Sequence, residues 1–152
     1  MERLSSDNIS EESFTKAENS YFFLDLDSET PLYQQIRDQV ILAMAEGRLN
    51  DGVSLPTTRQ LALDFKINFH TVNKAYDLLR QEGFVSLTRK QGTFIRRSLT
   101  ADSAWQQDWQ NRLRILMAEA VAKGQAAPDI LENCSSVLKT FPIVSSDRQN
   151  KA

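Results

Sequence analysis

The sequence predicts a mainly α-helical chain with one small β-hairpin, and three observations support this fold class. Apolar residues recur at spacings of three and four in five successive segments, which is typical of amphipathic helices. The second and third segments are separated by a turn of only three residues, Lys66-Ile67-Asn68. Two short runs of strand-forming residues flank the basic, glycine-containing tetrapeptide Arg89-Lys90-Gln91-Gly92. The sequence therefore predicts three helices, a hairpin and two further helices.

Composition excludes several kinds of chemistry. The chain has 152 residues, of which 41% are hydrophobic and 25% charged, as expected for one globular domain with a small appendage. One histidine and one cysteine provide no metal cluster of usual ligand spacing. The five glycines lie too far apart for a phosphate-binding loop or a dinucleotide fingerprint, and no serine stands in a G-x-S-x-G context. We therefore expect no enzyme, no cofactor and no metal.

No segment has the pattern of a membrane helix or a secretion signal. The longest apolar run, Val40–Ala45, has six residues, against the about 20 that a membrane helix needs. The N-terminus is polar and acidic, unlike a signal peptide. A lone cysteine, Cys134, forms no internal disulfide and fits a reducing compartment. We expect a cytoplasmic protein with no membrane partner.

Charge is distributed unevenly along the chain. The formal net charge is −2, but residues 1–30 hold two basic and eight acidic residues. Residues 31–98 hold ten basic and six acidic residues, and residues 99–152 hold six of each. The middle segment alone therefore has the positive balance that favours phosphate binding.

The N-terminal elements are defined by local signals. We predict a flexible acidic extension over residues 1–24, and the aromatic run Tyr21–Asp27 is expected to add a strand or a clamp to the next unit. Thr30-Pro31 is a typical helix start, and Gly47 can end that helix.

The second and third helices have clear N-terminal signals. Thr57 and Gln60 form a T-x-x-Q capping box in which each side chain is expected to bind the other residue's backbone donor. Asn68 is a good N-cap for the third helix, which should bury Val72, Ala75, Tyr76 and Leu79 before it stops at Gly83.

Two strands are expected at Phe84–Leu87 and Thr93–Arg96. Three helices with a tight second turn, followed by a basic hairpin, make a winged helix-turn-helix. We predict this domain over residues 25–98.

Residues 103–141 are expected to form a two-helix hairpin that dimerises, followed by a flexible tail over residues 142–152. The apolar stripes of the hairpin could also pack back on the winged helix of the same chain. Two helices alone bury little surface, however, and the exposure of two tryptophan side chains on one stripe to water is unfavourable. Both points favour packing against a second copy of the chain. The expected interface residues are Trp105, Trp109, Leu113, Leu116, Met117, Ile130, Cys134, Val137 and Phe141. We expect Cys134 to be a buried structural thiol.

Over residues 31–97 the chain resembles the DNA-binding domain of the GntR family. The matching segments are Leu32-Tyr33-Gln34-Gln35-Ile36, Gly52-Val53-Ser54-Leu55-Pro56-Thr57-Thr58-Arg59-Gln60-Leu61-Ala62, Thr71-Val72, Ala75-Tyr76, Leu79, Glu82-Gly83 and Gly92-Thr93-Phe94. The string from Asn68 to Tyr76 and the short C-terminal segment are similar to the YtrA-like subfamily. The resemblance implies a cytoplasmic bacterial transcription regulator, usually a repressor, that binds a palindromic operator as a homodimer through a two-helix C-terminal unit. Whether it has a small-molecule effector stays open.

The sequence departs from many members of the family at three positions. Phe69 and Asn73 stand where basic residues are common on the recognition helix, and Lys90 stands where the wing often has glycine. We therefore expect the binding mode to carry over and the base preference to differ.

Candidate DNA contacts fall on the first turn of the second helix, the start and outer face of the third helix, and the hairpin tip. They are Thr57, Arg59, Asn68, Phe69, His70, Thr71, Asn73, Lys74, Arg89, Lys90, Gln91 and Gly92. In helix-turn-helix proteins the start of the recognition helix enters the major groove. The resemblance implies a DNA contact for Arg59, and a basic hairpin can reach the minor groove or the backbone.

Simpler interpretations remain for each group. The helix face could be merely solvated, with Asn68 acting only as a cap. Arg59 could form a surface salt bridge, and the basic hairpin could be a charged edge that discourages strand aggregation. For the whole chain, the alternative is a winged-helix module that docks protein partners and binds DNA only incidentally.

Overall fold

A computed structural model describes residues 22–97 and 101–142. Its elements, in chain order, are α1 (Leu32–Ala45), α2 (Thr58–Phe65), α3 (Phe69–Gln81), β1 (Val85–Thr88), β2 (Gly92–Ile95), α4 (Ser103–Ala122) and α5 (Ala127–Leu138). The chain divides into two compact units, one with residues 22–44 and 48–97 and one with residues 45–47 and 101–142. The predicted mainly α fold with a small hairpin is confirmed. The tail predicted for residues 142–152 lies outside the described residues from residue 143 onward.

The first unit is a winged helix-turn-helix built around one hydrophobic core. Each of its three helices contributes side chains with no exposed surface, among them Ile36, Leu61 and Leu79. Strand β2 closes the core with Ile95, which is likewise fully buried. The four inward residues predicted for α3 are all buried. The period of the apolar residues thus identified the core face of this helix correctly.

The segment before α1 is a clamp rather than a strand. Phe22 lies in the core and meets Phe65 edge to face, with ring centroids 6.4 Å apart. The side-chain amide of Gln39 accepts from the backbone N–H of Phe23 and donates to its carbonyl. One turn earlier, Gln35 makes the same pair of bonds to Asp25, each 2.9 Å long. The core therefore includes a residue before position 25, where we placed the start of the domain; residues 1–21 of the predicted extension lie outside the described part.

The helix caps explain where α2 and α3 begin. The Thr57 hydroxyl accepts from the backbone N–H of Gln60 at 3.1 Å, as predicted. The reciprocal half of the capping box is wrong: within the described residues no bond joins the Thr57 N–H to the side-chain oxygen of Gln60, whose side-chain N–H donates to Asp64 at 2.8 Å. Asn68 caps α3 by accepting from the N–H of His70 at 2.9 Å. Between the two helices, Lys66 adopts the left-handed conformation with a φ of 54°, which makes the turn tight.

The hairpin is antiparallel and pairs Val85 with Ile95 and Thr88 with Gly92. Both strands are displaced by one residue from their expected bounds. Gly92 has a φ of 71°, a conformation that explains a glycine at the end of the tip. The loop before α2 lies along the free edge of β2, where Leu55 donates its N–H to the carbonyl of Thr93 at 2.8 Å. This third, strand-like segment was not predicted from the sequence.

The second unit contains the two predicted helices. Asp102 caps α4 by accepting from the N–H of Trp105 at 2.7 Å, and Pro128 stands in the first turn of α5. Helix α5 ends at Leu138, so Phe141 lies beyond the helix and not on its apolar face as expected. No helix in the described ranges is long and apolar enough to cross a bilayer.

Candidate nucleic-acid interface

The start of α3 presents two aromatic side chains to solvent. Phe69 is 41% exposed and His70 is exposed. Their rings lie close together, with centroids 4.1 Å apart and planes inclined by 33°. Asn68, immediately before them, is exposed while its side-chain oxygen caps the helix. An apolar ring at the surface of a helix start is the type of group that can contact a thymine methyl.

The outer face of α3 continues with Thr71 and Asn73, both half-buried, and with exposed Lys74. Within the described part of the chain, the Asn73 amide has no hydrogen-bond partner. Its donor and acceptor are therefore free to pair with an adenine edge. One turn further, Asp77 and Arg80 form an ion pair at 2.6 Å.

Helix α2 contributes Thr57 and Arg59 at its first turn. Both are exposed, and the hydroxyl of Thr57 is engaged in the cap. The Arg59 guanidinium makes no ion pair or hydrogen bond with any residue that the structure describes. The surface salt bridge that we considered for Arg59 is therefore not seen among these residues.

The tip of the hairpin holds Arg89 and Lys90, which are exposed and form no ion pair within the described ranges. Gln91, also predicted as a DNA contact, instead braces the tip. Its side-chain amide donates to the carbonyl of Gly52 at 2.7 Å, and its backbone N–H donates to the Thr88 hydroxyl at 3.1 Å. These bonds occupy donors of Gln91 and fix the hairpin against the loop before α2.

Partly buried contacts hold α3 in place behind this surface. The Tyr76 hydroxyl donates to the carbonyl of Pro56 at 2.8 Å, which ties α3 to the residue before the α2 cap. The guanidinium of Arg37 on α1 donates two hydrogen bonds to the carboxylate of Glu82, at the end of α3. The N–O distances are 2.6 and 3.1 Å. Partial burial by itself would lower the pKa of Arg37. Hydrogen bonds and charge attraction from Glu82 and Asp38 outweigh that effect and raise the pKa.

One contact beside the site was not predicted. The sequence places Tyr33 on the apolar stripe of α1, and its side chain does pack against the core. The ammonium of Lys74 also lies over the Tyr33 ring, with Nζ 3.9 Å from the ring centroid. This cation–π contact joins the first turn of α1 to the outer face of α3. Periodicity within one helix gives no signal for such a contact between helices.

The residues expected at the dimer interface are mostly uncovered in the single chain. Trp109, Leu113, Leu116 and Val137 are between 36% and 57% exposed. Trp105, Met117, Cys134 and Phe141 are half-buried, and Ile130 is the one buried side chain in the described part of this unit. The rings of Trp105 and Trp109 stack with centroids 6.4 Å apart.

The first unit therefore has a capped helix start with exposed aromatic and amide groups, together with unpaired basic side chains on α2 and on the hairpin. This combination defines a DNA-binding protein of the winged helix-turn-helix class. Residues 32–95 match the family described as bacterial regulatory proteins, gntR family. The chain belongs to this GntR family, and its similarity to two proteins named YtrA makes it a YtrA-like member.

Three relatives show the extent of the similarity. The transcriptional repressor YtrA of Bacillus subtilis is 39% identical over 72 residues, which are 47% of this chain and 55% of YtrA. The regulator Rv1152 of Mycobacterium tuberculosis is 37% identical over 81 residues, 53% of this chain and 67% of Rv1152. The solved structure of YtrA from Sulfolobus acidocaldarius, a GntR-family transcription factor, is 36% identical, with a TM-score of 0.56. That match covers 67% of this chain and 98% of the other.

The match spans little more than half the length of the Bacillus repressor. The relatives are named as transcriptional regulators, in agreement with the class expected for this chain from its sequence, a DNA-binding regulator.

Proposed function

We propose that this protein is a sequence-specific repressor that acts in the cytoplasm as a homodimer on a palindromic operator. The observation that carries the proposal is a set of groups that have no hydrogen-bond or ion-pair partner among the described residues: the Asn73 amide on α3, Arg59 on α2, and Arg89 and Lys90 at the hairpin tip. Water solvates these groups in the free chain, and a duplex supplies phosphates and base edges that can replace that water. The name of the Bacillus relative supports repression as the outcome of binding.

Sequence selectivity is assigned to α3. Asn73 can pair with the N6 and N7 atoms of adenine, and Phe69 can contact a thymine methyl. His70 can donate to a base or to a phosphate. Arg59 on α2 is assigned to a contact with a phosphate or a base, and Arg89 and Lys90 at the hairpin tip to the minor groove or the backbone.

The C-terminal helices are assigned to dimerisation. The uncovered stripe of Trp109, Leu113 and Leu116 continues along one face of α4, since these residues follow each other at spacings of four and three. A twofold dimer would present two copies of α3 to half-sites one helical turn apart, about 34–36 Å. Occupancy of such a site within a promoter would occlude the polymerase.

Binding-site selection on random duplexes tests the assignment of selectivity. We expect Asn73→Ala to cost about 1–3 kcal/mol on the selected operator and little on random DNA, because one base-specific pair is lost. Phe69→Ala should relax the preference at a different base pair. Gln81→Ala, an exposed amide at the far end of the same helix, is the matched control and should leave the selected sequence unchanged.

If both α3 variants select the same sequence as the parent protein, α3 is not the reading element. If the parent protein selects no sequence at all, specific operator binding itself is wrong.

A further inference from the structure

The contact between Tyr33 and Lys74 lies next to the groups assigned to base reading. Lys74 directly follows Asn73 and stands one helical turn after His70, so all three lie on the outer part of α3. The ammonium of Lys74 lies 3.9 Å from the centre of the Tyr33 ring. The neighbouring acidic residue on α3, Asp77, is already paired with Arg80. Within the described ranges, Lys74 has an aromatic partner and no carboxylate partner.

A lysine side chain has four rotatable bonds and loses considerable rotamer freedom when its ammonium is fixed. An aromatic face attracts the ammonium electrostatically but accepts no conventional hydrogen bond from it. The three N–H donors of Lys74 therefore stay available to an anion while the side chain is already restrained. A carboxylate in the same place would instead neutralise the charge that a phosphate needs.

The place of the ring is itself fixed. Tyr33 packs against the core with its apolar part. The side-chain amide of Gln35 donates to the carbonyl of Thr30 at 2.8 Å and to that of Asp25 at 2.9 Å, which holds the chain at the start of α1. These contacts fix the position of the Tyr33 ring, against which Lys74 on α3 packs.

We propose that Tyr33 is a positioning residue of the DNA interface, which holds the ammonium of Lys74 where a backbone phosphate of the duplex lies. The proposal rests on the proposed DNA-binding function and adds α1 to the elements that support it. A phosphate contact carries no base information. Each of Tyr33 and Lys74 should therefore add the same binding free energy on operator DNA as on random DNA, whereas Asn73 should add binding free energy mainly on the operator.

A double-mutant cycle on the full-length protein tests this coupling. Operator affinity and its salt dependence are measured for the parent, Tyr33→Leu, Lys74→Gln and the double variant. Lys74→Gln should weaken binding to operator and random DNA alike and lower the log–log salt slope by about 0.9, the value of one phosphate contact. Tyr33→Leu should weaken binding about two- to fivefold, as expected for an exposed cation–π pair. In the Lys74→Gln background the same change should have less than about a twofold effect.

Two further variants separate positioning from folding. Tyr33→Phe keeps the ring and should bind like the parent. Ile41→Ala removes another half-buried α1 side chain that packs against the core, and it should lower the unfolding midpoint without changing DNA affinity. Should Tyr33→Leu not fold, Lys74→Gln still decides: an unchanged salt slope overturns the proposal.

Additive effects in the cycle overturn it as well, and so does a loss of affinity in Tyr33→Phe equal to that in Tyr33→Leu. A parent protein that binds no duplex at all would refute the proposed function instead.

Discussion

Helices α1 and α4 are both amphipathic, but among the residues that the structure describes only α1 has its apolar face covered. Ile36 and Val40 on α1 have no exposed surface, whereas α4 has 20 residues and none that is buried. The first unit therefore has a complete core, and some of its surface charged and polar groups have no partner in the described part of the chain. In the second unit the exposed apolar side chains form a continuous stripe on a helix that buries none of its residues.

This difference is the basis on which we propose a different kind of partner for each unit. Exposed apolar stripes favour a surface of the same kind, and the symmetric way to provide one is a second copy of the chain. Unpaired basic groups beside a helix start favour an anionic partner. The proposed functions of the two units follow from these two deficits.

The largest expected effect comes from placing charge in the uncovered stripe. Leu113→Asp combined with Leu116→Asp should convert the proposed dimer into monomers at micromolar concentration, because each copy would bury two unpaired carboxylates in the interface. Sedimentation equilibrium measures this directly. The first unit should keep its helical circular dichroism, since its core contains neither residue.

Ile115→Asp is the matched control for this prediction. Ile115 is 61% exposed and lies between the two leucines in sequence, but the helical turn of 3.6 residues places it outside their stripe. We expect an unchanged dimer. A double variant that remains dimeric would place the interface elsewhere, and a monomeric parent protein would contradict dimerisation.

Most of the fold could be predicted because its signals are local. Thr57, Asn68 and Asp102 accept from backbone N–H groups at the helix starts, and caps of this type are determined by one side chain and its next neighbours. The strand-like segment next to β2 escaped prediction because its pairing joins Leu55 to Thr93, far apart in sequence. The wrong prediction for Gln60 has another cause. Its side chain could turn toward the Thr57 N–H or toward the Asp64 carboxylate, and the sequence does not decide between them.

The candidate site could be predicted only in part for the same reason. Helical periodicity places Phe69 and Asn73 away from the core, which is a local inference. It does not indicate which polar groups already have partners in the folded chain. Gln91 binds the carbonyl of Gly52, and Lys74 lies over the ring of Tyr33. Both contacts join residues about 40 positions apart, and their formation depends on the packed core.

A leucine truncation in each unit sharpens the comparison. Leu61→Ala on α2 should lower the free energy of unfolding by about 2–5 kcal/mol at every protein concentration, since Leu61 is fully buried. Leu116→Ala on α4, where the side chain is 57% exposed, should lower it only through the dimer, so its effect should vary with protein concentration. Leu63→Ala, 72% exposed on the same helix as Leu61, is the control and should change stability by less than about 0.5 kcal/mol. Equal losses for Leu61 and Leu63, measured by urea unfolding, would refute this account of the core.

The smallest expected effect concerns a single charge at the hairpin tip. Lys90→Ala should weaken binding to operator and random DNA by the same factor and lower the log–log salt slope by about 0.9, because one counterion-releasing phosphate contact is lost.

Arg112→Ala is the control, since it removes one positive charge from α4, where Arg112 pairs with Asp108 at 2.9 Å. It should leave the slope unchanged, although both variants alter the net charge equally. Fluorescence anisotropy over a salt series measures both slopes. If the Lys90 slope equals that of the parent, the hairpin does not touch the backbone; if both variants lower it equally, net charge rather than the first unit's surface governs binding.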